Sequence, residues 1–483
     1  MTRPLPFGIL VVAASSLAQC VSETDDKSAG GFTSFLQTQV TDKRGALKAP
    51  AEVLSGEHAS LRREVCIKPD DVAKAVQDLS MSVLQGLPPW RIANDTALAS
   101  KEDVQLAFFT QVSFADRLPL VSRTFSEIYR EADTFLYSVD ATMLDPARVR
   151  AVLPSPLPRN VFVKQAEHAG YYYWPRVALV LQGFKDLLDH DWDFVVHLSE
   201  SCYPVHSMDW VRKSLALQRR TNFMNIVPRV TMQDAHATPS QWYWWSQGAA
   251  VATCGSLAEP QEMATVGFPL EAMEKQGFAF AKAPEWFILT REMIQYATSP
   301  ELQPYRTLLS LHAASDEIFW ATLVINIPNF TQSVSPQGWY MEWSSASGHS
   351  PSTLTLAHKA EIMSKRRMYF FVRKVDEIVS MELLQSLDEA KALREEPPGP
   401  GELSWAQGDA FKALKSKIVA GPELTADPRT PGLDTASMVA FSPAPAPPPA
   451  PPSASSLTPV APLPMWIPDV SAGPSALVLP GGR

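Results

Sequence analysis

Two adjacent acids, Asp316 and Glu317, follow Ser315 at the start of an apolar segment that ends at Leu323. Serine is a favoured helix N-cap, and acids in a first turn interact favourably with the helix dipole. The pattern therefore predicts a helix capped by Ser315, which is a complete structural explanation for both acids. A carboxylate held at the start of a helix can also act as a general base toward an attacking hydroxyl group.

A second group that could do chemistry is the basic pair Arg373 and Lys374, which ends the aromatic-rich segment 368–372. The segment is typical of a β-strand, so the two cations are predicted to lie at its carboxyl end. Cations so placed can stabilise the negative charge that develops on a departing phosphate group. An exposed basic strand end is the alternative explanation.

These residues need a scaffold, and the pattern between residues 104 and 140 indicates its type. An apolar strand at 104–109, an amphipathic helix at 118–129 and a second strand at 134–140 form a βαβ unit. Such a unit implies a parallel sheet. Further elements are predicted as a strand at 160–163, a helix at 176–188, a buried strand at 194–198, and a strand at 286–289 followed by Thr290 as the N-cap of a helix.

In an open α/β sheet, ligands bind outside the carboxyl ends of the strands. Asp140 and the polar loop 199–204 follow two of the predicted strands and are therefore candidates for the wall of a site. Asp also favours turns, and the loop could be an ordinary connection. Since neither a Gly-x-Gly-x-x-Gly motif nor a P-loop follows any of these strands, the sequence gives no support for nucleotide binding of those two kinds.

Three blocks of the sequence resemble a known family. They are Asp-Trp-Asp-Phe at 191–194 with the following strand, Leu-Ser and Tyr-Pro; Ser-Asp-Glu with Trp-Ala-Thr-Leu at 315–323; and the strand ending in Arg373 and Lys374. The family is glycosyltransferase family 14, which contains the Core-2/I-branching β-1,6-N-acetylglucosaminyltransferases and the xylosyltransferases. The resemblance extends over residues 104–376 and is closest to plant-type or algal-type members. Cys202 stands where most relatives have Asp.

The resemblance implies an α/β fold of the GT-A type, with a central, mostly parallel sheet flanked by helices. It also implies an inverting transfer of a sugar, of the GlcNAc, xylose or glucuronic acid class, from a UDP-sugar to a hydroxyl of a glycan or glycoprotein. Glu317 matches the catalytic base and Lys374 the diphosphate contact. The predicted donor side further includes Arg373 and Asp140, and the predicted acceptor side consists of Trp343, Glu200 and Trp286.

No metal or cofactor is expected, and the UDP-sugar is a co-substrate. The acids Asp189, Asp191 and Asp193 have the Asp-x-Asp spacing of a metal site, but they precede a strand and are predicted to lie at its amino end, away from the ligand. Two alternatives remain. One is a catalytically inactive carbohydrate-binding or structural protein with the same fold, which the Cys202 replacement favours. The other is a glycoside hydrolase, for which no sequence pattern nominates the second carboxylate it needs.

The chain has 483 residues and a formal net charge of −9, which argues against nucleic acid as a partner because such binding depends on clustered Lys and Arg. Residues 1–22 are typical of a signal peptide or a short signal anchor, so the protein is expected in the secretory pathway, tethered in the Golgi lumen or secreted. Residues 23–100 are predicted as a stem, 101–395 as the glycosyltransferase domain, and the Pro- and Ala-rich segment 396–483 as a disordered tail.

Overall fold

The computed structural model describes residues 67, 71–89, 104–167, 173–229, 267–331, 334–336, 338–343, 350–393 and 395–399. The predicted leader at 1–22 lies outside the described residues, as do most of the predicted stem and nearly all of the predicted tail. Those three predictions therefore stay predictions. None of the helices in the described part of the chain combines the length and the apolar character that crossing a membrane requires.

The described strands and helices alternate along much of the chain. The strands are β1 (Leu106–Val112), β2 (Thr134–Asp140), β3 (Val161–Ala166), β4 (Phe194–Ser199), β5 (Tyr203–Pro204), β6 (Asn222–Phe223), β7 (Val227–Pro228), β8 (Ala281–Lys282), β9 (Ile288–Thr290), β10 (Val334–Ser335), β11 (Gly338–Met341) and β12 (Tyr369–Arg373). The α-helices are α1 (Val72–Leu84), α2 (Leu118–Ile128), α3 (Pro146–Val152), α4 (Trp174–Leu187), α5 (Met208–Leu217), α6 (Leu270–Glu274), α7 (Arg291–Thr298), α8 (Gln303–Ser310), α9 (Ser315–Asn326), α10 (Pro328–Thr331), α11 (Lys359–Ser364) and α12 (Met381–Lys391).

Seven strands form the central sheet in the order β10-β6-β9-β4-β1-β2-β3. The neighbours β1–β2, β2–β3, β1–β4 and β6–β10 are parallel, and β9 runs antiparallel to both β4 and β6. The predicted βαβ unit is therefore confirmed as β1-α2-β2. The predicted α/β class with a mostly parallel central sheet is confirmed as well.

Helices cover both faces of this sheet, and alternate side chains of each strand point to opposite faces. Every residue of β1 is buried. Ala107 and Phe109 join a core that contains residues of α4 and α9, whereas Leu106 and Phe108 join a core that contains residues of α2 and α5. A strand buried on both faces is continuously apolar, which explains the unbroken hydrophobic run in the sequence.

One glycine allows α4 to lie close to the sheet. A Cβ atom built on Gly183 would stand 2.1 Å from Cε2 of Phe109, whose ring is fully buried in β1. Any larger side chain would push the helix away from the strand, and Arg176 near the start of the same helix would move with it. The approach of α4 therefore contributes to the position of that arginine.

A small second sheet, in the order β11-β12-β5, supports the end of β12. Its β5 directly follows the loop after β4, and Val372 of β12 pairs with Tyr203 of β5. Leu383, Leu384 and Leu387 of α12 share a core with Tyr203 and Val372. The result is that Arg373 is held beside the carboxyl end of β4.

Two capping predictions had different outcomes. Thr290 is the N-cap of α7, where its hydroxyl accepts a hydrogen bond from the backbone N–H of Met293 at 3.2 Å, so that prediction is confirmed. The prediction for Ser315 is wrong, because Ser315 is the first helical residue of α9 and the N-cap is Ala314. The backbone N–H of Ala314 donates a hydrogen bond to Nδ1 of His312 at 3.1 Å, just before the helix begins.

Candidate active site

Glu317 lies in the first turn of α9, as predicted. Its backbone carbonyl accepts a hydrogen bond from the N–H of Ala283 at 2.8 Å, which ties this turn to the end of β8. Its Oε2 lies 3.6 Å from Nζ of Lys282, and the side chain is 29% exposed. The side chain is thus largely removed from water, and its Oε2 is buried.

The surroundings of Glu317 adjust its proton affinity in opposite directions. Burial raises the pKa of Glu317, Lys282 opposes that rise, and the nearby carboxylate of Glu285 adds to it. The net effect is a raised pKa, which makes the carboxylate a stronger base, while Lys282 favours the ionised form that can accept a proton.

Glu285 and Arg176 form a buried ion pair next to this carboxylate. Nε and Nη2 of Arg176 donate to the two carboxylate oxygens of Glu285 at 2.6 and 3.2 Å, and the side chains are only 9% and 11% exposed. Burial acts to raise the pKa of Glu285, but Arg176 outweighs it and the pKa is lowered. Sequence reasoning did not include either residue among the site candidates.

Arg373 brings three separate elements together. Its Nη1 donates to Oγ of Ser199 at 2.6 Å, and its guanidinium carbon lies 4.1 Å from the ring centroid of Trp286. Ser199 is the last residue of β4, and Trp286 precedes β9. A buried arginine keeps its charge, so this contact places a positive charge at the carboxyl end of β4.

Trp286 and His197 fill the space behind that cation. The indole of Trp286 is 7% exposed, with Arg373 over one face and the ring of His197 at a centroid distance of 5.0 Å. Burial lowers the pKa of His197 to about 4, so this ring is neutral at pH 7. The structure gives Trp286 a packing role, and its predicted contact with the acceptor stays a prediction.

Lys374 is the other predicted cation. Its Nζ donates to Oγ of Ser350, and its backbone carbonyl accepts from the N–H of Leu354 at 2.8 Å. Burial, assisted by the positive charges of Arg373 and Arg117, lowers the pKa of Lys374 to about 8, while Glu200 opposes that shift. The structure therefore brings Lys374 together with Arg373, as predicted.

Glu200 follows β4 directly and is half-buried. Its backbone N–H donates to the carbonyl of Gln111 at 3.1 Å, so the residue stays at the carboxyl edge of the sheet. Burial raises the pKa of Glu200, and the charges of Arg373, Arg176 and Arg117 oppose that rise. Glu200 thus lies among the predicted donor-side cations, and its predicted contact with the acceptor stays a prediction.

Asp140 is the last residue of β2, in the central sheet. Gln111 of β1 pairs with Ser138 of β2 and with Ser199 of β4. Asp140, two residues beyond Ser138, therefore ends at the same sheet edge as Ser199, about 12 Å away. Its Oδ1 accepts from the N–H and the hydroxyl of Thr142 at 3.0 and 2.6 Å, which is the turn expected of Asp. A donor contact for Asp140 stays a prediction.

Trp343 follows β11, in which Met341 pairs with Arg373 of β12. The indole is 50% exposed, so one face is available to stack on a sugar ring. Its predicted contact with an acceptor fits this position and stays a prediction.

The Asp-x-Asp acids lie at the opposite edge of the sheet. Asp193 immediately precedes β4, and its Oδ2 accepts from the N–H of Gln105 at 2.8 Å. This confirms the predicted position at the amino end of the strand. Among the residues that the structure describes, no group of three or more His, Cys, Asp and Glu side chains is arranged to hold a metal ion.

Cys202 is a free cysteine buried beneath the cations. Its Sγ lies 3.5 Å from both the N–H and the Oγ of Ser199, and burial raises the pKa of the thiol. Because the side chain is only 1% exposed, it contacts the loop rather than a ligand. Cys202, which stands where most relatives have Asp, therefore contacts Ser199, and Ser199 binds Arg373.

The sequence of the domain that contains this site matches the model of a known protein family. The model of the family described as "Branch: Core-2/I-Branching enzyme" matches residues 106–368, more than half of the 483 residues. The chain belongs to the Core-2/I-branching enzyme family. The family resemblance predicted from the sequence is confirmed, and the matched segment of this Core-2/I-branching chain is a glycosyltransferase-family domain that contains Glu317 and ends just before β12.

Curated relatives of this Core-2/I-branching chain include xylosyltransferase 1 from Canis lupus familiaris and from Homo sapiens. Each is 22% identical over 227 residues, which cover 43% of this chain and 22% of the relative. The chain thus spans about a fifth of the length of these relatives. Among solved structures, mannosyltransferase PcManGT from Pyrobaculum calidifontis, in complex with GDP-Man and Mn2+, matches with 14% identity and a TM-score of 0.20, covering 36% of this chain and 49% of that one. A score of that size supports no residue-level comparison.

Proposed function

We propose that this protein is an inverting, metal-independent glycosyltransferase that moves a sugar from a UDP-sugar to a hydroxyl group of a glycan or glycoprotein. The observation that carries the proposal is the arrangement at the carboxyl edge of the sheet. A largely desolvated carboxylate, Glu317, lies near Glu285, and the next residue of that loop, Trp286, packs against Arg373, which Lys374 follows.

Each part of this arrangement has a role in an inverting displacement. The acceptor oxygen forms a bond to the anomeric carbon from the face opposite the nucleotide, while the bond from that carbon to the phosphate oxygen breaks. Glu317 takes the proton of the acceptor hydroxyl, and Lys374 and Arg373 stabilise the negative charge of the departing diphosphate. Positive side chains can supply this stabilisation, which is the support for metal independence.

The donor sugar is proposed to belong to the GlcNAc, xylose or glucuronic acid class, in keeping with the family. We also propose that the protein acts in the secretory pathway, tethered in the Golgi lumen or secreted, on the strength of the apolar segment within residues 1–22. Trp343 is proposed to stack on the acceptor because its indole is half exposed beside the end of β12.

The two alternatives explain the site less well. The inactive protein was favoured by Cys202, but that side chain is buried and does not face a ligand. A hydrolase would need a second carboxylate, and Glu285 is one near Glu317. Both carboxylate oxygens of Glu285 accept hydrogen bonds from Arg176, and its side chain is only 11% exposed, so it is poorly placed to attack a sugar or to activate a water molecule.

The test is the release of UDP from UDP-GlcNAc, UDP-xylose and UDP-glucuronic acid, with and without glycan acceptors. Glu317→Gln should lower the rate by about 100-fold or more, because a positioned base contributes roughly 10²- to 10⁴-fold. Its thermal unfolding temperature and its UDP affinity should match those of the wild type. Glu301→Gln, at an exposed site outside the site described above, should keep full activity and serves as the matched control.

Three outcomes would contradict parts of the proposal. A Glu317→Gln variant that keeps most of its activity would remove the assignment of the base. Hydrolysis of glycosides without consumption of any UDP-sugar would favour the hydrolase. Activity that EDTA abolishes and Mn²⁺ restores would refute metal independence while leaving the transferase reaction in place.

A further inference from the structure

The loop that carries Glu200 is fixed between the first and the last strands of the domain. The N–H of Glu200 donates to Gln111 of β1 at 3.1 Å, and the carbonyl of Ser201 accepts from the N–H of Val375 at 3.0 Å. One residue further on, Cys202 donates its N–H to the carbonyl of Ser199 at 3.2 Å. With its backbone held on both sides, Glu200 keeps its carboxylate at the same edge of the sheet.

Four cations from separate parts of the chain act on this carboxylate. They are Arg117 from the turn before α2, Arg176 from α4, and Arg373 and Lys374 from the end of β12. Arg117 already has a carboxylate partner, Asp376, at 2.5 Å, and Arg176 has Glu285. The neighbouring thiol of Cys202 is buried, with a raised pKa, and adds no charge at pH 7.

Arg373 and Lys374 differ from the other two cations. In the part of the chain that the structure describes, neither forms an ion pair with a carboxylate; their hydrogen bonds go to the hydroxyls of Ser199 and Ser350. Two adjacent cations without such a partner repel each other and favour a nearby anion. Glu200 lies between Ser199, whose hydroxyl accepts from Arg373 at 2.6 Å, and Ser201, whose carbonyl accepts from Val375 at 3.0 Å, so both its neighbours are bonded to the segment that carries the two cations. Its charge opposes the lowering of the Lys374 pKa.

We propose that Glu200 is a resident counter-charge of the donor site, which balances Arg373 and Lys374 while the site is empty and competes with the donor diphosphate for them. This inference rests on the proposed function and gives Glu200 a donor-side role in place of the acceptor contact predicted from the sequence. Donor binding then replaces the Glu200 carboxylate by the diphosphate at the same cations. The loss of the Glu200 interaction lowers the net affinity for the diphosphate.

The exchange links donor binding to protons. A diphosphate beside Glu200 makes its ionised form less favourable and raises its pKa, so binding favours proton uptake. Glu200 also helps Lys374 to keep its own proton, since its charge opposes the lowering of that pKa. Removing the carboxylate therefore has two opposite effects on UDP affinity. It strengthens binding by removing a repulsive charge, and it weakens binding by letting Lys374 lose its proton more readily. The second effect grows as the pH rises.

The experiment measures UDP binding by calorimetry at pH 7 and pH 9, where the terminal phosphate, which titrates at about pH 6, is ionised. Glu200→Gln should bind UDP about five- to tenfold more tightly than the wild type at pH 7, because one like charge a few ångströms from the diphosphate has been removed. The gain should disappear by pH 9, because Lys374 loses its proton at a lower pH in the variant. Glu382→Gln, exposed on α12, should bind UDP like the wild type at both values.

A Glu200→Gln protein that is folded and binds UDP no more tightly than the wild type at pH 7 would overturn this inference alone. Glu200→Ala lacks both the carboxylate and the amide that Gln introduces. It should give the same tighter binding, which excludes an effect specific to Gln. Failure of the wild type to bind UDP at millimolar concentration would overturn the proposed function, and this inference with it.

Discussion

Replacing Arg176 by Met would leave the carboxylate of Glu285 buried without its cation. The two side chains are 9% and 11% exposed and share two hydrogen bonds of 2.6 and 3.2 Å. Removing one partner of a buried pair costs about 3 to 5 kcal/mol, because the remaining charge has lost both its partner and its water. We therefore expect Arg176→Met to lower the free energy of unfolding by about that amount at pH 7.

The pH dependence of this loss follows from the pKa of Glu285. In the wild type the folded-state pKa is lowered below the ordinary value of 4.5, so the stabilisation is present above that value and is lost as the pH falls through the folded pKa. In Arg176→Met the largest opposing charge is gone, so burial raises the pKa of Glu285 against only the weaker effects of His197 and Arg373, and acidification destabilises the variant less than the wild type. The difference between the two proteins should be largest at pH 7 and should narrow toward pH 5.

Urea unfolding at pH 7 and pH 5 measures both effects, and two further variants interpret them. Lys164→Met removes an ion pair whose lysine is 49% exposed, and it should cost less than about 1 kcal/mol. The double variant Arg176→Met/Glu285→Gln should recover a large part of the loss, because no charge is left unpaired. A loss below about 1 kcal/mol for Arg176→Met, or no recovery in the double variant, would refute the reasoning.

Two more predictions concern the close packing of α4 and the charge of Lys374. Gly183→Ala should lower the free energy of unfolding by about 1 to 3 kcal/mol, because its Cβ would stand 2.1 Å from the buried ring of Phe109. Gly267→Ala has no atom within 4 Å of its Cβ and should be tolerated; equal losses in the two variants by urea unfolding would contradict the argument. In wild-type protein, kcat/KM for UDP release should fall as the pH rises through about 8, because Lys374 loses its proton there. Lys374→Arg keeps its charge and should move this decline above pH 9, and an unchanged pH profile would show that another group titrates.

The sequence alone determined the class of the fold and the approximate place of the site. The periodicity of residues 104–140 predicted the βαβ unit, and a strand buried on both faces leaves a continuous apolar run that can be recognised without coordinates. Local order also predicted that Glu317 belongs to a first helical turn and that Arg373 ends a strand, both of which the structure shows. These features depend on residues that are close in sequence, so they can be recognised from the sequence alone.

Only the tertiary structure decided which charges meet. Arg176 and Glu285 are 109 residues apart and form one ion pair, and Arg373 reaches Ser199 across 174 residues. Neither pairing leaves a periodic pattern, because it depends on how closely α4 approaches β1 and on how the small sheet holds β12 beside β4. Proton affinities at the site follow from burial and from these distant charges, which no local stretch of sequence contains.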